Sequence, residues 1–278
     1  MTSTTQATLA KIRGMTAKDA GGGNVAEFFE ANKGALLAVL PQHMTPDRML
    51  KTALGAIRTT PALKDCTVAS LFGALVQAAS LGLEPNTVLG HAYLVPFYNG
   101  RESRRDVQLI VGYRGLIDLA RRSGQIVSIA AWAVREADTF DVVLGTDARI
   151  EHRPHLGDDR GEIVAFYAVA HLKDGGVAFE VMSKAEVDRV AAGTQSKGKS
   201  GPWRDHYEEM GRKTVIRRLS KYLPLSIELA TAVDLDERAD DSRPQDLHRV
   251  IDGTFSLADQ ADEPTDEQAG EQQQEHDQ

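Results

Sequence analysis

The sequence predicts an α+β fold built on a mostly antiparallel sheet. Apolar residues up to Leu81 recur at helical spacing. From His91 to Met182, short β-branched and aromatic runs alternate with turn signals, interrupted by one amphipathic segment. After Ser183 the helical spacing returns. Helices, then strands around one inserted helix, then helices again is the order of an α+β chain.

The chain has 278 residues, enough for one large domain or two small ones. An apolar share of 42% with 6% aromatics fits an ordinary soluble globular protein. A lone cysteine, Cys66, excludes an internal disulfide framework and a Cys-rich zinc site, and agrees with a reducing cytoplasm. No apolar run approaches the ~20 residues of a membrane span, and MTSTTQATLAKIRGM lacks the apolar core of a signal peptide.

Residues 1–23 are rich in Thr, Ala and Gly, end in three glycines, and read as a disordered arm and linker. Val25 to Leu40 has helical spacing and stops at Pro41. Thr45 to Arg58 opens with Thr as N-cap and Pro46 at the first helical position. Thr67 to Leu81 is apolar nearly all round, which predicts a buried helix. Pro85-Asn86 is a turn. His91–Phe97 and Val107–Val111 read as strands of a hairpin with a long basic loop holding Arg101, Arg104 and Arg105; with Glu102 and Asp106 among them, that loop reads as solvated. Gly112 and Gly115 flank Tyr113-Arg114 and lead into a helix with cations Arg114, Arg121 and Arg122.

Further strands are predicted at Ile126–Val134, Phe140–Leu144, Arg149–His152, Ile163–Leu172 and Val177–Met182, the last after an Asp174-Gly175-Gly176 turn. Lys184 to Ala192 is a helix capped by Ser183 with Glu186 placed for a capping box. Pro202 begins a long helix to about Leu223, and Ile227 to Leu235 a last short one. The domains expected are an arm over 1–23, a core over 24–235, and a largely disordered acidic tail over 236–278 with an apolar island at Leu247 to Leu257.

The net charge of −8 is unevenly placed. Asp234–Gln278 has 15 acidic residues against Arg238, Arg243 and Arg249, so it holds −12 and the rest of the chain holds +4. A mildly basic body with an acidic tail suits a nucleic-acid partner; a solvated surface with a solubilising tail is the other reading.

On the long helix, Ile216, Leu219, Tyr222 and Leu223 fall within about a quarter turn of Val215. Lys213, Arg217 and Lys221 recur every fourth residue on the other side, rising about 6 Å per step, comparable to the phosphate spacing of a strand. A solvated helix face is the alternative, but such faces are laced with acids at the same spacing, and here only Glu209 qualifies. The stripe, with Trp203 upstream, therefore reads as phosphate-binding. Tyr113 is placed to stack on a base and Arg114 to hold a phosphate, and a buried Tyr beside a helix start fits that step equally well.

Gly193–Ser200, GTQSKGKS, matches the G-x-x-x-x-G-K-[ST] phosphate-loop pattern. That loop must follow a buried strand, and here a charged helix precedes it. His152 and His155 read as a surface pair, Cys66 as a small core residue, and the carboxylates Asp118, Asp141, Asp158, Asp159 and Glu162 are scattered. Nothing in the sequence points to covalent catalysis.

Three segments, GLEPNTVLGHAYLVPF, VQLIVGYRGLIDLARRSG and WRDHYEEMGRKTVIRRLSKYLPLS, resemble the RecT family of phage-type single-strand DNA annealing proteins. The resemblance runs from roughly Asn32 to Leu235 in the family's order, which is more specific than any short motif. It implies a curved sheet with packed helices, shared with the λ Redβ-type annealing proteins. It implies homo-oligomers, as rings or helical filaments, in a phage or prophage setting in the bacterial cytoplasm. A partner exonuclease and the host single-strand binding protein are implied too. It carries DNA contacts onto Trp203, Arg212, Lys213, Arg217 and Lys221. It makes Gly193–Ser200 a variable loop whose Lys197 and Lys199 touch phosphates.

The function expected is binding of single-stranded DNA and annealing of complementary strands without ATP, by a scaffold rather than an enzyme. The DNA-binding residues expected are those five with Tyr113, Arg114, Arg121, Arg122, Lys197 and Lys199. No cofactor is expected beyond magnesium as a DNA counter-ion. The alternative is an ATP-dependent strand-exchange or helicase-like enzyme using Gly193–Ser200; a third reading is a structural oligomer whose basic stripe is only a surface.

Overall fold

The computed structural model describes residues 3–248 apart from 43, 195, 196, 200, 225 and 242. The predicted tail from residue 249 onward, including Val250, Ile251 and Phe255 of the island, lies outside the described residues.

Six helices come first: α1 (Ser3–Gly14), α2 (Ala17–Ala20), α3 (Gly22–Ala31), α4 (Lys33–Val39), α5 (Pro46–Thr59) and, after a 3-10 turn at Pro61–Asp65, α6 (Val68–Ser80). The middle of the chain holds β1 (Ala92–Asn99), β2 (Arg104–Val111), α7 (Tyr113–Arg122), β3 (Ile126–Arg135), β4 (Thr139–Val143), β5 (Arg149–Arg153), β6 (Ile163–Leu172) and β7 (Val177–Ser183). The last helices are α8 (Lys184–Gly193), α9 (Pro202–Asp205), α10 (Tyr207–Ser220) and α11 (Ile227–Asp240). The α+β class and the antiparallel pairing agree with the sequence: β1 pairs β2, β4 pairs β5, and β3-β6-β7 form a three-stranded sheet.

Helix α6 is the hub of the helical half. Val68 to Ala79 are all buried, and Phe72 meets Phe28 and Phe29 at ring-centroid distances of 6.0 and 5.3 Å. Thr67 caps it as its spacing requires, accepting from the Ser70 backbone N–H. In the other half α10 lies on the three-stranded sheet, facing Phe166, Ala168 and Ala170 of β6. The contact is close at Gly211, where a Cβ would sit 2.3 Å from the Phe166 ring.

Several expectations fail in informative ways. The arm expected to be disordered over 1–23 is helical from Ser3 to Gly14 and again from Ala17 to Ala20. Ile12, Ala17 and Ala20 are buried, and the segment is tied to α6 by Ala17 N–H to Cys66 O and Val68 N–H to Met15 O, each 2.9 Å. Three apolar contacts and these backbone bonds offset the low-propensity composition. The helix expected over Val25–Leu40 breaks at Asn32, whose side-chain amide donates to Phe28 O at 2.8 Å. The helix expected from Pro202 breaks at His206 (φ −140). The predicted basic loop of the first hairpin is short, because Arg104 and Arg105 already belong to β2. Asn99 makes that turn: its side-chain carbonyl accepts from the backbone of Arg101 and Glu102, while its amide donates to buried Asp106.

The expected boundary at Leu235 falls inside α11. The chain then returns over β2 as a strap. Gln245 lies on the edge of β2 that β1 leaves open: its carbonyl accepts from Leu109 N–H at 2.8 Å and its amide donates to Leu109 O at 3.1 Å. The same amide reaches Leu235 O at 2.7 Å. A side-chain amide there stands in for a neighbouring strand. Leu247 is buried, and its carbonyl would sit 1.9 Å from a Cβ on Gly73. Charge-rich composition hid this segment, since its docking rests on one amide, one leucine and one glycine.

Candidate nucleic-acid interface

The hairpin of β1 and β2 delivers the chain to α7 through Gly112. Both glycines of that step serve protein contacts. Gly112 N–H donates to His91 O at 3.0 Å, and a Cβ on Gly112 would lie 2.3 Å from Gly90 O. A Cβ on Gly115 would lie 2.2 Å from His91 O. The close approach read from these glycines is therefore to the 90–91 backbone.

That packing leaves an aromatic and cationic step at the surface. Tyr113 is half-buried and Arg114 exposed. The Arg114 guanidinium sits 5.9 Å from the Tyr113 ring centroid, and its Nε donates weakly to the Tyr113 hydroxyl at 3.4 Å. Tyr93 of β1 lies over Gly112 and Gly90 and is 43% exposed. Leu89 and Val88 beside it are exposed as well. Among the described residues Arg114 makes no ion pair, although the Glu209 carboxylate lies near enough to favour its charge. Tyr113 is thus neither the free stacking platform nor the buried tyrosine of the two readings, but a half-buried ring under a free arginine.

The other predicted contacts divide into free and engaged cations. Arg121 is exposed at the end of α7, and Lys197 and Lys199 are exposed in the loop after α8; none has a carboxylate partner among the described residues. Arg122 is engaged. It donates to Leu81 O and Gly82 O, each at 3.0 Å, and pairs with Asp118. It satisfies carbonyls left over at the end of α6.

Two of the three stripe cations on α10 are closed to solvent, while Lys221 at its end is 58% exposed. Lys213 pairs with Asp236, Arg217 with Asp236 and Asp240, and Lys221 with Glu237, all acids of α11. The Lys213 side chain is 7% exposed and that of Arg217 12%. Arg212 pairs with Glu208, which also takes Arg135 at 2.9 Å. Trp203 is 5% exposed and packs 6.2 Å from the Tyr207 ring, so its face is not offered to a base. The missing acids were in the sequence. Asp236 and Asp240 have the same four-residue spacing as the cations, but on the next helix.

Gly193 closes helix α8, so no strand enters the GTQSKGKS segment, part of which lies outside the described residues. His152 is not a surface residue. On β5 its ring lies between the Tyr167 hydroxyl and Asp138, each at 3.1 Å, with 5% of the side chain exposed. Asp138 also takes two bonds from Arg160 and the backbone N–H of Arg135 and His155. The Arg160 guanidinium, with these N–H donors and His152, holds the Asp138 carboxyl far below its ordinary value despite burial. This cluster anchors the β4–β5 hairpin to β6 through Phe140, 5.4 Å from the Tyr167 ring. Cys66 is fully buried and its thiol is pushed up to about 12, chiefly by that burial, which leaves it unreactive.

The family profile of RecT matches residues 47–248, most of the chain. The chain belongs to the RecT family. It is 48% identical over 233 residues to Protein RecT of Escherichia coli (strain K12), covering 83% of this chain and 86% of that protein. It is 29% identical over 202 residues to the uncharacterized protein YqaK of Bacillus subtilis (strain 168), covering 70% and 67%. With RecT membership comes a role in DNA recombination through strand annealing. The match ends at His248, just past Gln245 and Leu247 of the strap over β2. Among the described residues no helix is long and apolar enough to cross a membrane.

Proposed function

We propose that this RecT-family protein binds single-stranded DNA and anneals complementary strands without ATP, acting as a scaffold on which base pairing is the only chemistry. The observation that carries the reading is the surface step of Tyr93, Tyr113 and Arg114, where a free guanidinium lies over a partly exposed ring. Stacking and phosphate attraction are what sequence-tolerant strand binding needs. Arg121, Lys197 and Lys199 are the further free cations offered to phosphates. Lys213 and Arg217 of the α10 stripe support the fold instead, because their buried charges already have partners, whereas exposed Lys221 has only a surface pair with Glu237.

We assign the working form to a homo-oligomer in a bacterial cytoplasm, with an exonuclease and the host single-strand binding protein as partners. Exposed Trp132, Leu144 and Leu156 support a second copy as neighbour, since covering them would remove apolar surface from water. Magnesium would serve as a counter-ion to DNA. The ATP-driven alternative finds little support, because a nucleotide cradle needs a strand before its glycine loop and α8 occupies that place.

The test is annealing of complementary oligonucleotides with and without ATP, by wild type and by Arg114→Ala. Equal rates in the two conditions with a slower variant are expected. Annealing that requires ATP would overturn the reading.

A further inference from the structure

The strap that closes over β2 also builds one wall of a cleft. The other wall is the tip of the β1–β2 hairpin. The cleft measures about 360 Å³ and is lined by Phe97, Tyr98, Gly100, Arg101, Arg243 and Pro244. That volume lies at the small end of ligand sites. Its lining is aromatic and cationic.

The walls are fixed while the functional groups are free. Arg101 N–H donates to Asn99 Oδ1 at 3.1 Å, and Asn99 is 2% exposed and anchored on Asp106. Arg243 is held by its own N–H to Arg238 O and by its carbonyl, which accepts from the Gln108 amide at 2.9 Å. Their guanidiniums project from these anchored backbones. Arg101 has no side-chain partner among the described residues. Arg243 has only Asp241, at 3.0 Å, and both side chains are more than half exposed. Such a pair contributes about 0–1 kcal/mol and yields readily to a phosphate.

Tyr98 lines the same cleft, 55% exposed on β1. Directly across the hairpin from it is Arg105, exposed and also without a side-chain partner among the described residues. The nearby acid Glu102 is taken by Arg104. An open ring in a cleft with two available guanidiniums, and a third across the hairpin, matches a nucleoside phosphate better than any neutral or cationic ligand.

We propose that this cleft is a nucleotide subsite of the single-strand path. The Tyr98 ring stacks on one base, while Arg101 and Arg243 hold the adjoining phosphate and Arg105 the next. The proposal rests on the single-strand binding proposed above, and adds the hairpin tip and the strap to the binding surface. It also explains why the strap belongs to the core: without Arg243 and Pro244 the cleft has one wall.

The test uses the full chain and a fluorescent oligo-dT, with anisotropy read across a salt series. Arg101→Ala and Arg243→Ala should each lower the log–log salt slope by about 0.7, one phosphate contact apiece on a single strand. Tyr98→Ala should weaken binding about tenfold at every salt concentration and leave the slope unchanged, whereas Tyr98→Phe should bind as wild type does. Photocrosslinking wild type to iododeoxyuridine-containing DNA should label the peptide holding Tyr98. Unchanged slopes and affinities in folded variants, with label only elsewhere, overturn the subsite while wild-type binding stands. Wild type that does not bind single strands overturns the proposed function and the subsite together.

Discussion

Lys213 on α10 and Asp236 on α11 face each other as an ion pair whose side chains are 7% and 0% exposed. Arg217 shares Asp236 at 3.2 Å and adds Asp240, so a ladder of charge joins the two helices. Removing one partner of a buried pair leaves the other charge desolvated and unpaired, which costs about 3–5 kcal/mol. Asp236→Ala should therefore lower the melting temperature sharply, and Lys213→Ala should lower it less, because Asp236 keeps Arg217. Thermal melts of both variants check this. If Lys213→Ala keeps its melting temperature and loses only DNA affinity, the ladder is not structural and the lysine serves phosphate after all.

The strap yields a paired prediction. A chain ending at Leu235 cuts α11 and removes Gln245 and Leu247. It should melt well below a chain ending at His248, which should match the full chain in stability. Gln245→Ala leaves the Leu109 N–H and C=O without their partner, at about 1–3 kcal/mol for each group kept from water. Gly73→Ala should act at the same place, by driving its Cβ into Leu247 O. Equal melting temperatures for the chains ending at Leu235 and His248 would show that the strap contributes nothing to the fold.

Several local patterns in the sequence stand in the structure, while the side-chain pairings between distant helices were not legible. The Ser183–Glu186 capping box, the buried α6 and the β6 strand all depend on residues within a few positions, and each stands where its spacing put it. The fate of Lys213, Arg217 and Lys221 depended on a helix that begins only at Ile227, so a search for acids on the same helix had no means of seeing Asp236. Trp203 failed likewise: an indole beside cations suits a base, but burial against Tyr207 is a tertiary fact. Arg114, Arg121, Lys197 and Lys199 are exposed and unpaired with any carboxylate within salt-bridge distance among the described residues, which leaves them open to a phosphate. The cleft lined by Tyr98, Arg101 and Arg243 was not legible because it forms only after the strap folds back.

Lys199→Ala tests the glycine-rich loop. The lysine is exposed, follows a helix, and has no strand behind it to build a nucleotide cradle. Annealing should persist at a rate within a few-fold of wild type, with the salt slope lowered by at most about 0.7. Loss of annealing together with loss of ATP hydrolysis would install the enzyme reading in place of the scaffold.

The Asp138 cluster sets an acid limit on the hairpin of β4 and β5. Its carboxylate is 0% exposed and accepts from Arg160, His152 and two backbone N–H groups. Those donors, Arg160 foremost, depress its folded pKa well below the ordinary carboxylate value of about 3.9. A depressed folded pKa means the unfolded chain binds the proton more readily. The stabilisation is thus fully present above about pH 4 and is lost as pH falls below it. Asp138→Asn removes the charge and turns one acceptor into a donor facing Arg160. At pH 7 it should be less stable than wild type by about 1–3 kcal/mol. The gap should narrow below pH 4, because wild type loses there what the variant never had. Melting temperatures of both chains between pH 7 and pH 3, followed by circular dichroism, give the comparison. Two curves that stay parallel over that range would mean that Asp138 does not carry the linkage, and that the acid sensitivity of the fold lies with other carboxylates.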